Sequence, residues 1–206
     1  MSQNSQATQW ANPTPAGLVA LAVACFCFYA LLSGNVGPSA LPLLGCWMIG
    51  GFVIQFVVGL LDLKSNNGTG GNTFLFFSGF FMLAGGIEMF LKFQYGLQGV
   101  TLDGRIDGWA WLALTLVLWG WTPAFFKTPL PLIMIVLLLD IALPFIALID
   151  IGLLDKSLAF VPAWSLLLTG MIAVYFSSAI VTNTAFGKSV LPIPGPLVRE
   201  ALVPAE

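Results

Sequence analysis

Six apolar runs, each close to the roughly 20 residues that a helix needs to cross a bilayer, fill most of this chain: about 14–34, 39–61, 74–95, 108–127, 130–152 and 158–182. The breaks between them carry turn chemistry. They are Ser33-Gly34-Asn35-Val36-Gly37-Pro38, a polar stretch from Asp62 to Asn72, the Gln98–Asp107 segment with Asp103 and Arg105, Thr128-Pro129, and Asp155-Lys156. Hydrocarbon offers no hydrogen-bond partner to a backbone, so runs of this length must be helices that satisfy themselves. The expectation is an all-α integral membrane protein, multi-pass in a cell (plasma or inner) membrane. Residues 12–187 form a six-helix transmembrane domain between a polar tail over 1–11 and a C-terminal tail over 188–206. The Gly- and Asn-rich stretch from Asp62 to Asn72 reads as a flexible loop.

Composition narrows the function classes. Hydrophobic residues make up 58% of the chain and charged residues 8%, against about 25% charged in soluble domains. A net charge of −2 gives no electrostatic footprint for nucleic acid. Histidine is absent, which excludes Ser-His-Asp and Cys-His catalysis and removes the commonest metal ligand. The three cysteines, Cys25, Cys27 and Cys46, all lie inside apolar runs and read as small packing hydrophobes. No cofactor motif, metal-ligand set or catalytic constellation is present, so the chain reads as a non-enzyme without a cofactor. Residues 1–11 contain no Lys or Arg, and the run behind them is longer than a signal-peptide core, so it reads as a span rather than a cleaved leader.

An even number of spans places both termini on one side. Lys64, Lys127, Lys188 and Arg199 then share that side, against Lys92, Arg105 and Lys156 on the other. The excess favours cytoplasmic termini under the positive-inside rule. Trp109, Trp111, Trp119 and Trp121 suit either interfacial anchoring or packing.

Within the spans, polar residues are few and each requires a reason. Asn12 can cap the first helix, with Pro13 at its first position. Gly51, Gln55 and Gly59 are spaced by four, which puts them on one stripe where a second helix can approach closely or a pathway can be lined. Asn72 or Thr73 can cap the third helix. Its N-terminus and that of the first lie on the same membrane side, so two dipole ends and nearby amide and hydroxyl donors can form a weak anion-attracting mouth. Glu88 and Lys92 stand four apart, the acidic residue first, as an internal ion pair requires. Asp140 lies mid-span between Leu137-Leu138-Leu139 and Ile141-Ala142-Leu143. A pathway or proton-coupling role competes there with a structural hydrogen bond to a neighbouring helix or subunit.

Asn12-Pro13-Thr14-Pro15-Ala16-Gly17-Leu18 resembles the NPxPxGL signature of the acetate uptake transporter family, which includes the bacterial succinate–acetate permeases. The resemblance continues in family order through Gly50-Gly51…Gln55…Gly59, Gly71-Asn72-Thr73-Phe74, Leu118-Trp119-Gly120, Gly170…Ala173-Val174-Tyr175 and Asn183…Phe186-Gly187…Leu191-Pro192. It implies six transmembrane helices per subunit, a homo-hexamer with a pathway inside each protomer, and passage of acetate and similar short carboxylates. By the same resemblance, the constriction built in the family from Phe, Tyr and Leu corresponds here to Leu21, Met82 and a position near Leu143. Gly85-Gly86 stands where an aromatic pair usually follows. Ala173 matches a small, pathway-facing position, and Asn12, Gln55, Asn72, Thr73, Tyr175 and Asn183 match polar mouth and helix-terminus positions.

A carboxylic acid has a pKa of about 4, so roughly one molecule in a thousand is protonated at neutral pH. No Arg or Lys stands at mid-membrane to clamp the anion, Lys92 being the one whose reach matters. Channel-like permeation and proton-coupled symport both fit an apolar waist between polar mouths. The alternative reading is a channel for a small neutral solute such as urea, an amide or ammonia. A membrane scaffold without transport is a third.

Overall fold

α1 (Thr14–Leu32) starts one residue later than its capping signal suggests. Asn12 Oδ1 accepts from the Thr14 backbone N–H at 3.0 Å, Pro13 takes the cap position, and Pro15 falls in the first turn. The computed structural model describes residues 11–198. All of the expected N-terminal tail except Ala11, and the C-terminal tail from Arg199 onward, lie outside the described residues.

Five further helices follow: α2 (Leu41–Lys64), α3 (Gly68–Leu97), α4 (Arg105–Phe125), α5 (Leu130–Ile151) and α6 (Phe160–Phe186). Short 3₁₀ turns, Pro38–Ala40 and Lys156–Ala159, lead into α2 and α6. The middle of α3, Phe77–Ala84, is π-helical. No strand occurs among the described residues. Among the described residues, five helices are long and apolar enough to cross a membrane. α4 has the length, 21 residues, but its Trp, Arg and Asp residues lower its hydropathy.

The helices alternate in direction and close into a ring. α1 packs between α2 and α6, α3 packs on α2, α4 on α5, and α5 on α6. The α2–α3 seam is made by the expected small-residue stripe. A Cβ on Gly51 would lie 2.6 Å from Met82 Sδ, and one on Gly59 would lie 2.7 Å from Leu75 Cγ and 3.0 Å from the Gly71 carbonyl. Bare backbone on one helix is what lets the other come this close.

The stretch from Asp62 to Asn72 is not a flexible loop. α2 runs to Lys64 and α3 starts at Gly68, which leaves a three-residue connection, Ser65–Asn67. Asn67, rather than Asn72 or Thr73, is the cap: its Oδ1 accepts from Gly70 N at 3.1 Å. Asn72 Nδ2 and Thr73 Oγ1 instead donate to the carbonyls four residues back, Gly68 and Thr69, each at 2.8 Å. Gly70 and Gly71 are there for close approach, because a Cβ on Gly70 would meet Asp62 Oδ2 at 2.7 Å and one on Gly71 the Leu63 backbone nitrogen at 2.8 Å.

After α6 the chain doubles back. Gly187 leaves the helix with φ +62°. Asn183 then clamps the returning segment, its Oδ1 accepting from Val190 N (2.7 Å) and Leu191 N (2.9 Å) while its Nδ2 donates to Leu191 O (2.8 Å). Tyr175 donates to the Pro192 carbonyl at 2.6 Å. The segment finally docks on the α4–α5 turn through Leu130 N to Pro194 O (3.0 Å) and Val198 N to Phe126 O (2.9 Å).

Two glycines of α4 carry opposite expectations. A Cβ on Gly108 would lie 2.6 Å from Ile151 N and 2.7 Å from Ala147 O, so Gly108→Ala forces α4 off α5 at an overpacking cost of about 1–3 kcal/mol. Gly120 faces open space, and Gly120→Ala gains up to about 1 kcal/mol of helix propensity. Thermal unfolding in detergent should move in opposite directions for the two. Asn183→Ala removes three hydrogen bonds, worth about 1 kcal/mol each. Limited proteolysis should then cut near 188–198 while leaving the bundle intact.

Candidate permeation pathway

Two cavities lie end to end inside the ring. The near cavity, about 300 Å³, opens at the end that holds the start of α1 and the close of α6. The far cavity, about 170 Å³, lies toward the opposite end. Phe77 of α3 and Leu139 of α5 line both. They are 5% and 4% exposed, so the boundary between the cavities is an apolar waist. Leu18 walls the near side and Leu21, one turn on, the far side.

The π-helical segment sets which residues reach this waist. Widening the turn from 3.6 residues shifts the angular register of everything beyond it. Phe77 and Phe81 face the cavities, whereas Met82 is turned against Gly51 and lines neither. Phe81 also meets Trp111 of α4 edge-on, ring centroids 5.6 Å apart, and Trp111 walls the far cavity. Leu21 and Leu143 line the far cavity, as do Ala142 and Gly85. Ala173 is fully buried and lines neither cavity.

Sequence reasoning missed Phe77, Phe81 and Leu139. Leu139 shares a helical stripe with Leu143 and Ile146, which spacing alone could have raised. Phe77 and Phe81 depend on the π-helical register, for which spacing carries no signal.

The near mouth is polar. Asn12, Thr14, Gln55, Asp62, Asn67, Thr73 and Lys127 all border it. Gln55, 1% exposed, donates through Nε2 to the Gly17 carbonyl at 3.3 Å. That contact orients the amide, since a reversed side chain would set two oxygens against each other. Asp62, 2% exposed, accepts from Asn67 Nδ2 at 3.1 Å and ties the close of α2 to the cap of α3. Asn72 stands outside the cavity, and Tyr175 and Asn183 hold the returning C-terminal segment instead of facing the mouth.

The far mouth is charged. Lys92 pairs with Glu88 and, at 3.1 Å, with Asp107 Oδ2 across the α3–α4 seam. Glu88, Lys92 and Asp150 line the cavity. Arg105 is engaged elsewhere, its guanidinium forked onto Asp103 at 2.8 and 2.6 Å. Hydrogen bonding from Arg105 holds that exposed carboxyl down at about 2.

Asp140 lies off both cavities, on the side of α5 that meets α4. Its Oδ2 contacts Thr122 Oγ1 at 2.7 Å, and Trp119 Nε1 donates to its backbone carbonyl at 3.1 Å. Of the four tryptophans of α4, Trp109, Trp119 and Trp121 are exposed on the outer surface. Cys25, Cys27 and Cys46 are all free thiols, Cys25 buried in the core.

No family model and no curated protein matches this chain. Among solved structures, the bacterial acetate channel SatP is similar, with a TM-score of 0.78 at 21% identity, over 89% of this chain and 99% of that one. The likeness is one of fold across nearly the whole of both chains: this protein is a multi-pass helical membrane protein with the architecture of that channel.

Proposed function

We propose that this chain is a channel or transporter for acetate and related short-chain carboxylates, a member of the acetate uptake transporter family. The observation that carries the reading is the pair of cavities meeting at an apolar waist, in a fold shared with a bacterial acetate channel. Polar groups at the near mouth, Asn12, Gln55 and Thr73, solvate the carboxyl group as it leaves water. At the waist, Phe77 and Leu139 offer no hydrogen bond. A bare anion is therefore strongly disfavoured there, and the substrate passes as the neutral acid or with an accompanying proton. The reading is of a non-enzymatic protein. Its working form is a homo-hexamer with a pathway in each protomer and cytoplasmic termini.

Purified protein in liposomes should raise uptake of radiolabelled acetate above empty vesicles, with competition by propionate and formate. Urea uptake without acetate uptake would identify the neutral-solute channel instead. Phe77→Ala should relax size selection: discrimination between acetate and butyrate falls by about ten-fold, the scale of one methylene's steric penalty in an apolar pocket. Unchanged discrimination in well-assembled protein would move the waist elsewhere. Asp140→Asn keeps the shape and the hydrogen bond to Thr122, so acetate flux and its pH dependence should stay within about two-fold, well below the ten-fold that 1.4 kcal/mol represents. A larger change would give Asp140 a coupling role despite its place off the cavities.

A further inference from the structure

The geometry points to a carboxylate-binding subsite at Lys92 in the far cavity, an inference that deepens the carboxylate reading above and rests on it. Lys92 is the one cation among the residues that line this cavity. An ammonium carries three N–H donors. Lys92 directs one to Glu88 on its own helix and another, at 3.1 Å, to Asp107 of α4. Among the described residues no third group accepts from it. Asp150 of α5 lines the same cavity and feels the Lys92 charge, yet forms no ion pair with it. Two contacts therefore hold the ammonium in place, and one donor is left for a ligand. Lys92 lines the cavity and Asp107 does not, so that ligand comes from within the pathway. Glu88 and Asp107 are positioning residues.

The remaining walls give the cation its purpose. Outward from the waist stand Leu21, Phe81, Leu139, Leu143 and Ile146, none of which can hydrogen-bond a carboxyl group through its side chain. Lys92 lies about three helical turns beyond Phe81. An acid that crosses the waist neutral has to leave into water as its anion. Its O–H then breaks, the bonding pair stays on the carboxylate, and the proton passes to water at the mouth. A carboxylate is costly among apolar walls, and Lys92 supplies the charge-assisted hydrogen bond that offsets the cost. The contact asks for one carboxylate group, so its ligands are short carboxylates, whether they carry one such group or two.

The test is the concentration dependence of radiolabelled acetate uptake into proteoliposomes near neutral pH, with empty vesicles subtracted. Lys92→Gln alone strands two acids, so the decisive comparison is between Glu88→Gln and Glu88→Gln/Lys92→Gln/Asp107→Asn. With Lys92 and Asp107 ionised, both variants leave these three positions with no net charge, and a difference between them reports the ammonium rather than the general field. The half-saturating acetate concentration should be about five-fold higher in the triple variant, the scale of one hydrogen bond to a charged group that water partly screens. Inhibition of acetate uptake by propionate should weaken by the same factor. Asp103→Asn/Arg105→Gln, an exposed pair at the same end that lines neither cavity, should leave half-saturation unchanged. A purely structural role for Lys92 would lower the assembled fraction and the maximal rate without moving half-saturation. Equal half-saturation in the two decisive variants, both assembled and transporting acetate, overturns the subsite alone. Uptake by the unmodified protein that stays proportional to concentration does the same. Absence of acetate flux in the unmodified protein overturns the carboxylate reading and the subsite with it.

Discussion

The closeness of α2 to α3 is the contact on which the interior depends. Gly51 and Gly59 give α2 a bare face, and Met82 and Leu75 of α3 sit directly on it. Hydrocarbon supplies no hydrophobic force between helices, so dispersion and shape must hold them together, and a missing side chain gains more contact than a large one. Met82 pressed on Gly51 fixes the rotation of α3. Phe77 and Phe81 are thereby turned toward the cavities, and the waist follows from that orientation. The π-helical stretch makes the two demands compatible, since an unbroken α-helix would present a different set of residues beyond Phe77.

Charge placement follows from the same medium. Four of the acids within the spans have a direct partner that offsets burial: Glu88 and Asp107 on Lys92, Asp62 on Asn67, Asp140 on Thr122. None stands at the waist, and the two ends of the pathway differ in character. The near mouth is built from amides and hydroxyls with one charge of each sign, and the far mouth from carboxylates in excess.

The returning C-terminal segment gives the polar near mouth a fixed wall. The α4–α5 turn contributes Lys127, Thr128 and Pro129 to the cavity, and Pro194 and Val198 hold that turn in place through backbone hydrogen bonds. Asn183 and Tyr175 therefore act on the mouth indirectly, by positioning the strap. Their polar character is spent on backbone groups that would otherwise face the membrane boundary unsatisfied.

The six long helices, their alternation and the closeness permitted by Gly51 and Gly59 were legible in the chain. Apolar length, turn residues and glycine spacing act locally, and a bilayer leaves few other solutions. The Glu88–Lys92 pair was legible for the same reason, being one turn apart on one helix. Tertiary structure alone decided that the Gly-rich stretch after Asp62 is helical, because Gly71 answers to Leu63 on the neighbouring helix and Gly70 to Asp62 and Asn67, not to a need for flexibility. It also decided that Asp107 joins Lys92, that Tyr175 and Asn183 serve a strap, and that Phe77 and Leu139 rather than Met82 meet between the cavities. Each of these turns on the rotation of one helix against another. That rotation is set by packing between residues far apart in the chain, where spacing along a single helix carries no information.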